Sequence, residues 1–245
     1  MKALVFAAGL GTRLKPLTDS IPKALVSVGG IPMLQRVILK LKASGFTRIV
    51  VNTHHFADKV AAFLGQNGNF GVDITISHED GPEPFETGGG IKFARRCLED
   101  GPFLVHNVDI LSDLDIPSFL LACRPEALAN LAVTQTEADR CFLFGEDMRL
   151  LGWTNVRTGE VRSAVPGFDP SRCRRLAFSG IHQISPAIFP LLEDWPEKFS
   201  ITDFYIQAAA SHPIYGVEVP GLKILDIGSP EKLLEAEEQL KTHKI

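Results

Sequence analysis

Short apolar runs alternate with helix-spaced segments through the first half of this 245-residue chain, and no other feature restricts its fold as strongly. Residues 2–8 (KALVFAA) read as a buried strand. Residues 32–44 carry Met33, Val37 and Leu41, with Ile38 and Leu39 on the neighbouring ridge, which is helical spacing. Strands are expected at 48–52, 72–77 and 102–106, and helices at 56–64 (Val60, Phe63 and Leu64 on one side) and 88–98. Strand and helix in regular alternation imply an α/β fold, a doubly wound parallel sheet with helices on both faces. After about residue 125 the pattern loosens into strand candidates at 129–134, 141–145, 149–154 and 176–184, with helices at 187–192 and 201–210. A last strand at 223–226 leads to a helix with Ser229 as N-cap, Pro230 in its first turn, and Leu233, Ala236 and Leu240 inward. The chain divides into 1–125, an inserted β-rich region at 126–222, and a closing strand and helix at 223–245, all within one domain.

Composition narrows the class. A hydrophobic fraction of 45% with 22% charged residues excludes a disordered chain. The apolar run at 3–8 is too short for a signal-peptide core or a membrane span, so a cytoplasmic protein without membrane contact is expected. Four cysteines (Cys97, Cys123, Cys141, Cys173) lie at least 18 residues apart without a CxxC pair and read as reduced thiols. The net charge of −4 argues against a nucleic-acid partner. The first 23 residues run the other way, with Lys2, Arg13, Lys15 and Lys23 against Asp19 alone. Either the clustering is chance or a local anion site lies there.

Ligands of open α/β sheets bind where strands end. The first strand is followed by Gly9-Leu10-Gly11-Thr12-Arg13. Glycines let backbone approach a ligand, and successive N–H groups can hold an anion. Leu14 stands where a dinucleotide fingerprint needs glycine, and no Walker Gly-Lys-Ser/Thr occurs. More than twenty residues separate this strand from the next helix, a length usually tied to function. Arg13 can fork onto phosphate oxygens and Lys23 can place a point charge there.

The segment FAAGLGTRLKPLT…PKALVSVGGIPML resembles the N-terminal signature of the sugar-1-phosphate nucleotidyltransferases. Glu86-Thr87-Gly88-Gly89-Gly90, Asn107-Val108-Asp109, Phe178-Ser179-Gly180 and Leu225-Asp226-Ile227-Gly228-Ser229 extend the resemblance along most of the chain. The short length, ETGGGI, FSGI and DIGSPEKLLEAE are most similar to the bacterial enzymes that transfer uridylyl groups to N-acetylmuramate 1-phosphate. Guanylyltransferases acting on mannose or heptose phosphates come next. The resemblance implies a Rossmann-like, mostly parallel sheet with a small β-rich sugar-binding insertion, and catalysis with Mg²⁺. It implies an NTP and a sugar 1-phosphate as partners, UTP with N-acetylmuramate 1-phosphate foremost, and a monomer or homodimer.

The two acids of the family's pattern match Asp109 and Asp226. Both follow apolar runs and are expected at strand exits as ligands of Mg²⁺. The family has Gly before the first acid; here Val108 disfavours positive φ and adds bulk near the sugar. An anionic sugar phosphate attacks the α-phosphorus without a general base, so bringing two anions together is the difficulty. Accordingly, backbone of Gly11, Thr12 and Arg13 would hold the β- and γ-phosphates. The Arg13 side chain would neutralise the leaving pyrophosphate and Lys23 the α-phosphate. Small Ala7, Ala8 and Gly9 would rest against the base. Gly88, Gly89 and Gly90 are expected to open a helix with free N–H groups for the sugar. The resemblance adds Glu86, Thr87, Asn107, Ser179 and Gly180 there, and Asp203 caps a helix or lines the same pocket. Larger relatives grip the sugar phosphate with a Glu-Lys pair; Gly145-Glu146-Asp147 is nearer a hairpin turn, and that cation stays unassigned.

Other features read as structural: His54-His55 as loop or core, Trp153 and Trp195 as packing, and Arg172, Arg174 and Arg175 as solvated surface or a contact to substrate or another subunit. Asp113-Leu114-Asp115 fits the DxD of metal-dependent glycosyltransferases, which expel no pyrophosphate. A non-catalytic nucleotide or sugar-nucleotide sensor is the other alternative.

Overall fold

The computed structural model describes residues 1–241. In chain order the elements are β1 (Lys2–Phe6), β2 (Ser27–Val28), β3 (Ile31–Pro32), α1 (Met33–Ala43), β4 (Arg48–Thr53), α2 (Ala57–Gln66), β5 (Asp73–His78), α3 (Glu86–Phe93) and α4 (Arg95–Leu98). Then come β6 (Phe103–Asn107), β7 (Ile110–Ser112), α5 (Ile116–Ala122), β8 (Ala129–Thr134), β9 (Arg140–Phe144), β10 (Leu150–Asn155), β11 (Glu160–Arg162) and β12 (Arg174–Ile184). The chain ends with α6 (Ile188–Leu192), α7 (Ile201–Ala208), β13 (Ile214–Glu218), β14 (Ile224–Asp226) and α8 (Pro230–Lys241). The last four residues of the closing segment lie outside the described residues.

The main sheet runs β11-β10-β9-β12-β6-β1-β4-β5, with β8 between β12 and β13. The strands β6, β1, β4 and β5 are parallel, as the alternation requires. The 11-residue β12 joins the two halves, pairing antiparallel with β6, β8 and β9. The β-rich region is thus a continuation of the same sheet.

Side-chain parity along β1 explains the double winding. Ala3 and Val5 face the core formed with α1, α2 and Ala236 of α8, whereas Leu4 faces the core formed with α3, α4 and the later helices. Each buried Leu or Val of this kind contributes about 1.5–3 kcal/mol. Leu39 departs from its expected ridge and is exposed, because Val37, Ile38 and Leu41 already fill the inward stripe of α1. The predicted helix at 88–98 begins at Glu86 and is two pieces. The short β7, β11 and β13, the β2–β3 hairpin and α5 go beyond the sequence pattern, being two to seven residues long. Ser229 does begin α8, its Oγ accepting from Lys232 N–H at 3.4 Å. No described helix is long and apolar enough to cross a membrane.

Candidate active site

The loop after β1 is locked at its glycine turn. Gly11 adopts φ +64°, and its carbonyl accepts from Leu14 N–H (2.9 Å) and Thr18 Oγ (2.7 Å). Leu14 anchors the turn in the interior, which leaves Thr12 and Arg13 exposed. Two further helical turns return the chain so that Lys23, 86 residues distant in sequence, donates to Oδ2 of Asp109. Ala7, Ala8, Gly9 and Lys23 line a cavity of about 260 Å³ with Glu86, Thr87, Asn107 and Asp109. The nucleotide-side and sugar-side candidates therefore share a wall.

Asp109 and Asp226 come together through one short ladder. The strand β7 pairs antiparallel with β14, setting Asp226 opposite Ile110, and Ile227 N–H donates to the Asp109 carbonyl at 2.8 Å. Both acids line a cleft of about 460 Å³ with Arg13, Asn107, Ser179 and Gly180. Lys232 Nζ donates to Asp226 Oδ2 at 2.9 Å. A Cβ added to Gly228 would lie 2.8 Å from both Arg13 Nη2 and Asp226 Oδ1, which puts the guanidinium at the Asp226 corner. The remaining carboxylate oxygen, Oδ1 of each acid, has no hydrogen bond among the described residues. Two carboxylates with one open oxygen each suit a hard divalent cation whose other ligands are phosphate oxygens and water. No group of three or more His, Cys, Asp or Glu able to hold a metal occurs among the described residues. Val108 keeps an ordinary negative φ and packs in the core with Leu104, and it also lines the smaller cavity beside Asn107 and Asp109.

The glycines of ETGGG do a different job from the one expected. Gly88 and Gly89 do not offer free amides, because both N–H groups point to the Phe199 carbonyl, at 2.9 and 3.3 Å. A Cβ on Gly88 would sit 2.2 Å from the Phe199 ring, and one on Gly89 1.9 Å from the Glu197 carbonyl oxygen. Their absent side chains let α3 lie against the approach to α7. Thr87 is also tied there, its Oγ accepting from Ile201 N–H at 3.0 Å. Glu86 lines the smaller cavity with φ +62°, a backbone that a non-glycine residue adopts at a cost of about 1–3 kcal/mol. Ser179 and Gly180 form an irregularity in β12, where the register with β8 shifts; Ser179 Oγ accepts from Ile181 N–H, and Gly180 has φ +76°. A Cβ there would lie 2.8 Å from Asn107 Nδ2.

Asp203 does not cap α7. Ser200 does, and Asp203 pairs with Arg162 inside a separate cavity of about 470 Å³ walled by Trp153 and Phe178. Trp153 is thus at a cavity, whereas Trp195 packs on Phe199 and Phe204. His54 bonds the Gly81 carbonyl at 2.8 Å and His55 stacks on Phe56, both structural. The DxD acids are spent locally: Asp113 accepts from Lys223 N–H, and Asp115 begins α5. Arg174 pairs with Glu218, but Arg175 faces the Arg13 side of the molecule. The cysteines are free, and burial pushes the Cys123 thiol up to about 12.

Lys232, Arg140, Asn155 and Arg162 belong to these clefts and escaped motif reading. Lys232 carried a usable signal, since it stands six residues after Asp226 in the first turn of a capped helix. Cross-strand register alone brings in the other three. The same holds for Asn52 and Glu79, a buried pair beneath the smaller cavity at 2.9 Å.

A family model described as Nucleotidyl transferase matches residues 2–142. An N-acetylmuramate alpha-1-phosphate uridylyltransferase of Caulobacter vibrioides is 34% identical across 97% of this chain and 96% of its own length. A mannose-1-phosphate guanyltransferase of Candida albicans is 29% identical across 96% of this chain and 63% of its own. The crystal structure of HddC from Yersinia pseudotuberculosis complexed with GMP-PN has a TM-score of 0.76 at 25% identity, covering 98% of this chain and 99% of that one.

Proposed function

The chain belongs to the nucleotidyl transferase family, a sugar-1-phosphate nucleotidyltransferase by its relatives, and on that premise we propose that it forms an NDP-sugar from UTP and N-acetylmuramate 1-phosphate. The observation that carries the reading is the convergence of Lys23, Asp109, Asp226 and Arg13 at one corner, beside the glycine turn. The likeness to the uridylyltransferase over nearly the full length of both chains supports the substrate pair. A second reading, GTP with mannose or heptose 1-phosphate, draws support from the guanylyltransferase relatives and the GMP-PN complex.

Charge control is the catalytic task. Two unit charges 4 Å apart repel by about 4 kcal/mol at an effective dielectric near 20, and both reactants carry several. Gly11, Thr12 and Arg13 hold the β- and γ-phosphates through backbone N–H groups. Arg13 neutralises the leaving pyrophosphate. Lys23, now on Asp109, turns to the α-phosphate as substrate enters. Asp109 and Asp226 would hold Mg²⁺, which when bound supplies neutralisation of phosphate charge. Ala7, Ala8 and Gly9 border the base. Glu86, Thr87, Asn107, Ser179, Gly180 and Asp203 edge the sugar, while Gly88 and Gly89 act through packing. Residues 1–125 form the nucleotide side, 126–222 the sugar side and 223–245 the closing segment.

A pyrophosphate-release screen of four NTPs against a panel of sugar 1-phosphates, with and without Mg²⁺, tests this. UTP with N-acetylmuramate 1-phosphate should give the highest kcat/KM, only with the cation. A preference for GTP with mannose or heptose 1-phosphate selects the second reading. Ligand-induced melting shifts without turnover on any pair would make the protein a sensor.

A further inference from the structure

The acceptor brings its own phosphate, which needs a cation distinct from those facing the triphosphate. Most of the 13 arginines are already held: Arg36 by the Val28 carbonyl, Arg95 by Glu99 and Glu193, Arg174 by Glu218. The side chains of five have no hydrogen bond or ion pair among the described residues: Arg13, Arg96, Arg140, Arg172 and Arg175. Three of these five, Arg13, Arg140 and Arg175, line a single cleft of about 1400 Å³ that also holds Asp226 and Lys232. In a chain of net charge −4, unpaired guanidinium groups gathered in one cleft focus the field on an anion.

Arg140 occupies a position that the other two do not. It begins β9 directly opposite Asn155 of β10, and this pair lines both the large cleft and the cavity walled by Trp153 and Phe178. Asn155 Oδ1 accepts from Arg157 N–H (3.0 Å) and Thr158 N–H (3.3 Å), which orients the carboxamide and leaves Nδ2 as its free donor. The cavity offers an aromatic wall and the Arg162–Asp203 pair, features that suit a sugar ring and its hydroxyls. Its mouth offers a cation and an amide donor. Across the cleft stand Arg13 and Asp226. A molecule with its ring in the cavity and its phosphate toward Asp226 passes Arg140.

We propose that Arg140, with Arg175 beside it, binds the phosphate of the sugar 1-phosphate and delivers it to the nucleotide from the Trp153 cavity. This rests on the reading of the chain as a sugar-1-phosphate nucleotidyltransferase. In that reaction an anionic acceptor oxygen attacks the α-phosphorus. The new P–O bond forms as the bond to the bridging oxygen breaks, and pyrophosphate leaves with the electron pair. No proton is removed. The Arg140 fork matches two acceptor oxygens and leaves the third to attack.

The test compares wild type with Arg140→Ala, Arg140→Lys and Arg96→Ala in pyrophosphate release, varying each substrate separately. Loss of a charge-assisted contact should raise the KM for sugar 1-phosphate about 10- to 100-fold in Arg140→Ala, and leave the NTP KM within about two-fold. Arg140→Lys, which keeps the charge but not the fork, should fall between, and Arg96→Ala should match wild type. An unchanged sugar-phosphate KM in Arg140→Ala overturns the assignment, as does an equal rise in both KM values. Should Arg140→Ala fail to fold, a wild-type KM in Arg140→Lys overturns it. A wild type that turns over no sugar 1-phosphate sinks the functional reading itself, and the assignment with it.

Discussion

The two sides of the cleft solve the same electrostatic problem differently. On the proposed nucleotide side, positions come from backbone and several polar groups are paired, Arg13 being the exception: Lys23 meets Asp109, Glu79 meets Asn52, and the glycine turn is tied to Thr18. The parallel strands end together there, so loops after β1 and β6 converge without long side chains. On the proposed sugar side the sheet is an antiparallel ribbon, and the Arg140 and Arg175 side chains reach out unpaired from its strands. A preorganised site resists reorganisation as charge moves, which favours rate. Long unpaired side chains lose more freedom on engaging a ligand, which makes them binding groups first.

Five substitutions and one change of condition break or sharpen that contrast. Asp109→Asn should keep the fold and lower kcat by about 10²–10³-fold because it removes preorganised charge control, and Arg13→Ala should do the same by removing the cation proposed to face the leaving pyrophosphate. Near-normal kcat in either, with an unchanged melting curve, would place the chemistry elsewhere. Gly89→Ala should act on stability. Its Cβ would collide with the Glu197 carbonyl oxygen, and overpacking of this kind costs about 1–3 kcal/mol, read as a fall of roughly 2–12 °C in Tm. A wild-type Tm would show that α3 and the approach to α7 can separate freely.

The sugar side has its own buried polar pair, and pH reports on it. Burial pushes His182 down to about 3, and its ring bonds the buried Tyr205 hydroxyl at 2.7 Å. Because the folded value lies below the ordinary one near 6.5, the unfolded chain binds the extra proton first. Stability is therefore complete above pH 6.5 and declines as pH falls toward 3, by about 2 kcal/mol between 6.5 and 5. Urea midpoints across this range check it, and His182→Gln should remove the share of the decline due to His182 while leaving that of His106, which burial pushes down to about 4. Trp153→Ala should have the smallest effect, a rise of about 3- to 10-fold in the sugar-phosphate KM with the NTP KM unmoved. Equal effects on both would mean that the aromatic wall supports the whole cleft.

Nucleotide-side legibility had a local cause. An apolar run, a glycine turn and a basic loop are contiguous, and together they point to a strand exit near an anion. Asp109 and Asp226 came from the family resemblance, and the apolar run before each placed it at a strand exit. The ETGGG glycines were legible as special but misread in purpose: a glycine that frees an N–H and one that admits a neighbour look alike until Phe199 and Glu197 are in place. Arg140 was passed over because it lies within an unremarkable run, and only Asn155 opposite it reveals its setting.

Local chemistry along the chain was enough to dictate the alternating fold and to mark a glycine-rich basic loop at a strand exit, since strand period, turn preference and charge are properties of neighbours in sequence; the two acids came from the family resemblance. Which acid meets which lysine, which glycine is spent on packing, and which arginines remain unpaired were decided by strand register and helix packing. Lys23 and Asp109, Gly89 and Glu197, and Ile110 and Asp226 lie far apart in sequence, and the energies of such contacts exist only once the sheet has brought them within a few ångströms.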